Sequence, residues 1–270
     1  MKIHGLCLVK NEADILGYSL RESATWCDFI HVFDTGSRDD SWAVVNELAK
    51  ELPQVRPFRS EPRDFDDALR SEIFNACRGA AQEGDWWCRL DADEIYVDNP
   101  KEFLAGIPNA HHVVWSISIN HYFTRSDLDR QAAAPPGISA ETLPRFYSAN
   151  WSEPRFFRYR AGLVWDGNAW PKHLGIVTPR RIRLNHYQYR NPAQIQLRLD
   201  TRREAAARGW KHFAHSENND WQEKITPEES LHFDAQDGQY VIDECQLPVH
   251  LESRPQRLMK RIFHELGFWP

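Results

Sequence analysis

Four short apolar runs punctuate the opening stretch of the chain, and the segments between them are spaced as helices. The runs are IHGLCLV (3–9), DFIHVFD (28–34), QVRPF (54–58) and the end of EGDWWCRLD (83–91). Runs of this length bounded by turn residues predict buried strands. Between the first two, ADILGYSLRES sets Ile15, Leu16, Ser19 and Leu20 at helical spacing. After the turn TGSRDDS, residues 39–41 are placed to cap the helix WAVVNELAKEL, which Pro53 ends. Residues 65–82 predict a third helix with Leu69, Ile73, Phe74 and Cys77 on one stripe. This alternation predicts an α/β fold with a mostly parallel central sheet and helices on both faces.

Ligands of such sheets bind beyond the C-terminal ends of the strands. Three acids fall there: Glu12 just after the first strand, Asp34 ending the second and Asp91 ending the fourth. Asp91 opens a denser group, because WWCRLDADEIY (86–96) also carries Asp93 and Glu94. Like charges this close repel unless something neutralises them. Two carboxylates separated by one residue at a strand end suit Mg²⁺ or Mn²⁺, which takes oxygen ligands and leaves positions for water and substrate phosphate. The bland alternative is a solvated acidic loop. The preceding apolar strand, and Glu12 and Asp34 as expected neighbours, favour a site.

The second half is less regular. HHVVWSISIN predicts a strand with one covered face, carrying Val113, Trp115, Ile117 and Ile119. Further strands are expected around PRFFRYR, GLVWD and RRIRLNHY, and a loop over residues 124–150, centred on AAAPPG. His121, Tyr122 and Arg125 end the HHVVWSISIN strand, as acceptor-side or core residues. A basic helix is expected from Pro192 to Arg208. Its Arg198, Arg202, Arg203 and Arg208 face a phosphate, an acidic lipid or plain solvent. The halves, 1–110 and 111–270, are expected to share one core as a single domain.

Composition narrows the class. The chain has 270 residues, 41% hydrophobic and 27% charged, which fits a folded enzyme. A net charge of −6 argues against a nucleic-acid partner. The five cysteines are scattered, with no CxxC pair, as in a reducing compartment. The N-terminal apolar stretch is strand-sized and lacks a cleavage site, and no run approaches the ~20 apolar residues of a membrane span. A cytoplasmic protein is expected. The C-terminal RPQRLMKRIFHELGFWP has the composition of an interfacial helix, so peripheral contact with the inner face of a membrane stands beside simple docking on the domain.

Four ordered motifs, VKNEADIL, FDTGSRDDS, the helix containing Arg70, and GDWWCRLDADE, resemble the nucleotide-sugar half of family 2 glycosyltransferases of the GT-A fold. The resemblance covers residues 1–96. EPRFFRYR and RRIRLNHYQYRNPAQIQLR are similar to later parts of some bacterial members. The resemblance implies a Rossmann-like sheet, with a nucleotide-sugar half over 1–110 and an acceptor half over 111–270. It implies that Asn11, Glu12, Asp34, Arg70 and Asp91 hold the nucleotide sugar, and that Asp91, Asp93 and His186 hold Mn²⁺ or Mg²⁺. The activity implied is inverting transfer from a nucleoside-diphosphate sugar, UDP being the commonest nucleotide, to a hydroxyl of a glycan or glycolipid acceptor in bacterial surface-glycan or lipopolysaccharide synthesis. Many members carry their general base in an ED pair in the second half, and this chain has none there. Asp166, among Trp165, Gly167 and Trp170, is the first candidate, followed by Glu153 and Glu94.

Two alternatives stay open: a nucleotide-sugar-binding relative without catalysis, and a nucleotidyltransferase. The latter would carry a Gly-rich basic loop after the first strand, where KNEAD stands. A dinucleotide oxidoreductase would need GxGxxG there. In a haloacid-dehalogenase-type phosphatase, DxD would follow the first strand and not the fourth.

Overall fold

A computed structural model describes residues 1–133, 141–209, 220–248 and 251–270. The strands β1 (Ile3–Val9), β2 (Phe29–Asp34), β3 (Val55–Ser60) and β4 (Trp86–Asp91) form a wholly parallel half-sheet in the order β3-β2-β1-β4. Strand periodicity sends alternate β1 residues to opposite faces. Ile3, Cys7 and Val9 pack with Leu16, Leu20, Val45 and Leu48 on one side, while Leu6 and Leu8 pack with Ile73, Phe74 and Trp87 on the other. The helices α1 (Ala13–Ala24) and α2 (Ser41–Glu51) therefore cover one face and α3 (Arg70–Cys77) the other. The expected α/β architecture is present.

Local chemistry explains the boundaries. Asp39 accepts from Ser41 N at 3.0 Å and from Ser41 Oγ at 2.6 Å, so it does the capping work at the start of α2, while Asp40 in the cap position makes no side-chain bond. Leu52, forced out of the helical region by Pro53, is extended. The third helix is shorter than expected. A 3₁₀ turn at Asp67–Leu69, capped by Asp66 accepting from Ala68 N at 2.9 Å, precedes it.

The second half extends the same sheet with antiparallel strands. The three-residue β5 (Glu94–Tyr96) follows β4, then α4 (Pro100–Ala105) and the long β6 (Val113–Tyr122). β4 pairs with β8 (Pro154–Arg158), β8 with β6, and β6 with β7 (Phe146–Trp151), and β10 (His232–Phe233) closes that edge. β9 (Val177–His186) lies parallel to β6 and antiparallel to β5. One apolar core joins Ile3 and Val32 to Val114, Phe156 and Ile182, crossing position 110.

Three expectations change. β6 is covered on both faces, with Val114, Ser116 and Ser118 as buried as Val113, Ile117 and Ile119. GLVWD is not a strand: Leu163 and Trp165 pack on Phe74 and Phe157, while Val164 and Asp166 point out. Residues 124–150 contain α5 (Arg125–Ala133) and most of β7, and the 134–140 part of the expected loop lies outside the described residues.

The helices α6 (Pro192–Ala207) and α7 (Arg254–Glu265) follow β9. α7 buries none of its residues. Its Lys260 donates to Glu252 at 2.5 Å and to the Gly175 carbonyl at 2.7 Å, while Leu258, Met259, Ile262 and Leu266 stay exposed. Among the described residues no helix is long and apolar enough to cross a membrane.

Candidate functional site

A cleft of about 260 Å³ opens beyond the C-terminal ends of β1 and β4, where the parallel topology predicts a ligand. Asn11, Glu12, Asp91 and Asp93 line it. α6 and the Arg208 that caps its C-terminus supply one wall, with Arg198, Thr201 and Arg202, and Lys10 and Arg63 also reach it. Glu94, Glu153, Arg155, His186 and Arg89 also line it.

His186 arrives through register. It ends β9, opposite Glu94 of β5 and Asn120 of β6, so it stands at the same sheet edge as Asp91. His186 Nδ1 lies 2.8 Å from Asn120 Oδ1. An amide oxygen accepts only, so Nδ1 carries a proton in that bond and Nε2 faces Asp93 Oδ2, 3.5 Å away. Burial opposes charge on this ring, but Asp93 and Glu94 override it and raise the His186 pKa.

Guanidinium groups neutralise the acids. Asp91 accepts from Arg70 on one oxygen and from Arg155 on the other, the latter at 2.7 Å. Burial pushes its pKa up, yet the two arginines hold it well below the usual carboxylate range. Asp93 is likewise held low against its burial by His186 and Arg198. Burial dominates elsewhere. It lifts Glu12 to about 7 despite Arg190, and Glu94 to about 8 despite Arg155. Arg155 also holds Glu153 at 2.6 Å. Arg190, fully buried, donates to Glu12, to both oxygens of Asp14 at 2.7 and 2.9 Å, and to the Tyr187 carbonyl at 2.7 Å.

The structure thus brings Asn11, Glu12, Asp91, Asp93 and His186 together, with Glu94 and Glu153, and keeps three expected site residues out. Asp34 does not line the cleft. Its carboxylate is taken up by Ser37 N at 3.1 Å, Ser37 Oγ at 2.5 Å and Ser60 Oγ at 2.7 Å, which braces the turn after β2. Arg70 is fully buried behind Asp91 and bonds to Asp67 and the Leu6 carbonyl, so it supports the cleft without lining it. Asp166 is 52% exposed, pairs with Lys172 at 2.8 Å and lies outside the cleft lining. Asn11 lines the cleft with its amide already engaged. It holds the Arg38 N–H at 2.7 Å and donates to Thr201 at 2.9 Å.

Each oxygen of Asp91 accepts from an arginine, Arg70 on one and Arg155 on the other. Among the described residues no group of three or more His, Cys, Asp or Glu side chains is arranged to hold an ion. Asp93 and His186 do fit as a pair. Their 3.5 Å separation is close to the ~3 Å between neighbouring ligands of one octahedral ion. The Nδ1 bond to Asn120 is the outer contact that a ligating histidine normally makes. Such an ion would take its remaining ligands from water and a guest phosphate.

Sequence reasoning missed Lys10, Arg63, Arg89 and Arg155 as cleft residues. Lys10 stood within VKNEADIL, and Arg155 within EPRFFRYR, both already singled out for resemblance.

No family model and no curated protein matches the chain. Solved structures do. A mannosyltransferase, PcManGT from Pyrobaculum calidifontis in complex with GDP-Man and Mn²⁺, is similar at 15% identity and a TM-score of 0.41 over 80% of this chain and 68% of that one. TarS from S. aureus is similar at 12% identity and a TM-score of 0.36, again over 80% and 68%. A 4-diphosphocytidyl-2C-methyl-D-erythritol synthase is similar at 15% identity and a TM-score of 0.33 over 58% of this chain and 75% of that one. Similarity at these values assigns neither activity nor ligand.

Proposed function

We propose that the chain is a glycosyltransferase that moves a sugar from a nucleoside-diphosphate donor to a hydroxyl acceptor with inversion. The observation that carries the reading is the meeting of Asp93 and His186 with the basic wall of α6 in one cleft at the carboxyl ends of parallel strands. A diphosphate suits that wall, because Arg198, Arg202 and Arg208 offer forked donors to phosphate oxygens. Asp93 and His186 are the residues that would hold Mn²⁺ or Mg²⁺, whose role when bound is to neutralise charge growing on the leaving diphosphate. Glu12 suits a ribose or base contact, since a carboxylate oxygen accepts from hydroxyl and ring N–H groups.

Glu153 replaces Asp166 as the general base in this proposal. It lines the cleft and keeps 21% of its side chain exposed, whereas the Glu94 side chain is 1% exposed and tied to Arg155. Glu153 takes the acceptor proton as the hydroxyl attacks the anomeric carbon from the face opposite the diphosphate. Arg155 and Arg89, at 2.6 and 3.6 Å, fix its direction. The acceptor proposed is a bacterial surface glycan or glycolipid, reached at the inner face of the membrane through the exposed apolar side of α7. Flotation with anionic vesicles tests that contact, and flotation unchanged by removing residues 254–270 would dismiss it.

The test of the activity is a calorimetric titration of UDP, GDP, CDP and dTDP into the full chain, with Mn²⁺ and with EDTA. One nucleotide binding, weakened by Asp93→Asn, is the expected result. A folded protein that binds none of the four would refute the reading.

A further inference from the structure

One nitrogen of α6 stands where a cation is wanted. Arg198 Nη1 lies 2.9 Å from Asp93 Oδ2 and 3.0 Å from Glu12 Oε1. It bridges two carboxylates that come from different strand ends, and it does so on the same Asp93 oxygen that faces His186 Nε2 at 3.5 Å. A guanidinium nitrogen and a divalent ion cannot share that oxygen closely, since like charges at contact distance repel. The Arg198 side chain is 21% exposed and lines the cleft, so it has room to turn toward a guest.

We propose that Arg198 is a displaceable counter-ion of the Asp93 site, which makes cation binding and diphosphate binding mutually dependent. This rests on the reading of Asp93 and His186 as cation-holding residues. Without a guest, Arg198 neutralises Glu12 and Asp93 and competes with the ion for Asp93 Oδ2. An incoming diphosphate offers the guanidinium a bidentate partner and draws it off the carboxylates. Asp93 is then free for the ion. By linkage the effect is reciprocal, so the ion tightens the diphosphate by the same factor as the diphosphate tightens the ion. Arg198 is a positioning residue here. Its removal acts through Asp93 and shows in metal affinity before any turnover.

The experiment measures Mn²⁺ binding by the loss of the free-ion electron paramagnetic resonance signal, on the full chain without nucleotide. Wild type, Arg198→Gln and Arg202→Gln are compared, each shown to be folded by its thermal melt. Arg202 lies one turn further along α6 and lines the same cleft, so its variant loses the same charge without vacating Asp93. The expected result is Mn²⁺ binding about tenfold tighter in Arg198→Gln than in wild type, a typical coupling. Arg202→Gln should raise the affinity by a clearly smaller factor, since Arg202 bonds to Tyr189 and acts on Asp93 only through the field of the cleft. Adding Asp93→Asn to Arg198→Gln should remove the gain. In a second arm, UDP is titrated with Mn²⁺ and with EDTA. Wild type should show the larger coupling and Arg198→Gln a smaller one, because the direct contact between ion and phosphate remains. Equal Mn²⁺ affinity in wild type and Arg198→Gln, an equal gain in Arg202→Gln, or no Mn²⁺ binding by any variant would overturn the proposal. Nucleotide binding in EDTA would leave the glycosyltransferase reading intact in each of those cases. A chain that shows the Mn²⁺ effect and binds no nucleotide would keep the counter-ion and lose the glycosyltransferase.

Discussion

Replacing His4 by Phe should make the protein more resistant to acid. His4 sits near the N-terminal end of β1, away from the cleft, wholly buried, with its ring stacked on Trp87 at 4.4 Å and beside Phe29 at 4.8 Å. Among the described residues neither ring nitrogen has a hydrogen-bond partner. Burial therefore lowers its pKa from 6.5 to about 4, against the pull of Asp85. Between those values the unfolded chain binds a proton that the folded chain refuses, so stability from this residue is complete above pH 6.5 and is lost as pH falls toward 4. At pH 5 the loss is at most about 2 kcal/mol, because each pH unit crossed below 6.5 removes at most about 1.36 kcal/mol. Phe fills the same stack and does not titrate. Urea unfolding of both proteins at pH 7.5 and pH 5.0 measures the difference, and other titrating groups common to both cancel in the comparison. The stability gap should move in favour of His4→Phe by about 1–2 kcal/mol at the lower pH. A gap unchanged between the two pH values would refute the reasoning.

Three further outcomes follow from the cleft and its supports. Glu153→Gln should lower kcat for sugar transfer by about 10²–10⁴, the usual worth of a general base, with nucleotide affinity held within about threefold, whereas Asp166→Asn should leave kcat within about twofold. Arg190→Met strands Glu12 and Asp14 without their buried partner and should cost about 3–5 kcal/mol in urea unfolding; a loss below about 1 kcal/mol would show that these acids do not depend on it. Gly36→Ala should cost more than about 1 kcal/mol by thermal melt, because Gly36 has a φ of +83° and an added Cβ would meet Pro62 Cα at 2.7 Å.

Much of the first half was legible because its signals are local. The runs 3–9, 28–34 and 86–91 are apolar and bounded by turn residues, so the mostly parallel sheet and the cleft edge follow from topology. That Asp91, Asp93 and His186 share one cleft was legible through the motif and its resemblance, though their roles are not thereby shown. The partners of these acids were not, because pairing is set by three-dimensional proximity. Glu94 meets Arg155 across 61 positions and Glu12 meets Arg190 across 178. Asp34 misled for the opposite reason. It does end a parallel strand, but Ser37 and Ser60 consume its lone pairs, and nothing in spacing foretells that. Asp166 looked like a pocket acid among tryptophans. Trp165 turns inward to the core under α3 while Asp166 turns out, the ordinary fate of neighbours in an extended segment.

The neutralising arginines carry a consequence for synthesis. Asp91, Asp93 and Glu94 leave the ribosome before Arg155, Arg190 and Arg198 exist. At about 5–20 residues per second, Arg155 follows Glu94 by about 3–12 s and Arg190 follows Glu12 by about 9–36 s. Through that interval Asp91 already has Arg70, but Glu12, Asp93 and Glu94 have no guanidinium to receive them, and burying them is unfavourable. Neutralising this part of the acidic edge therefore waits on the second half of the chain.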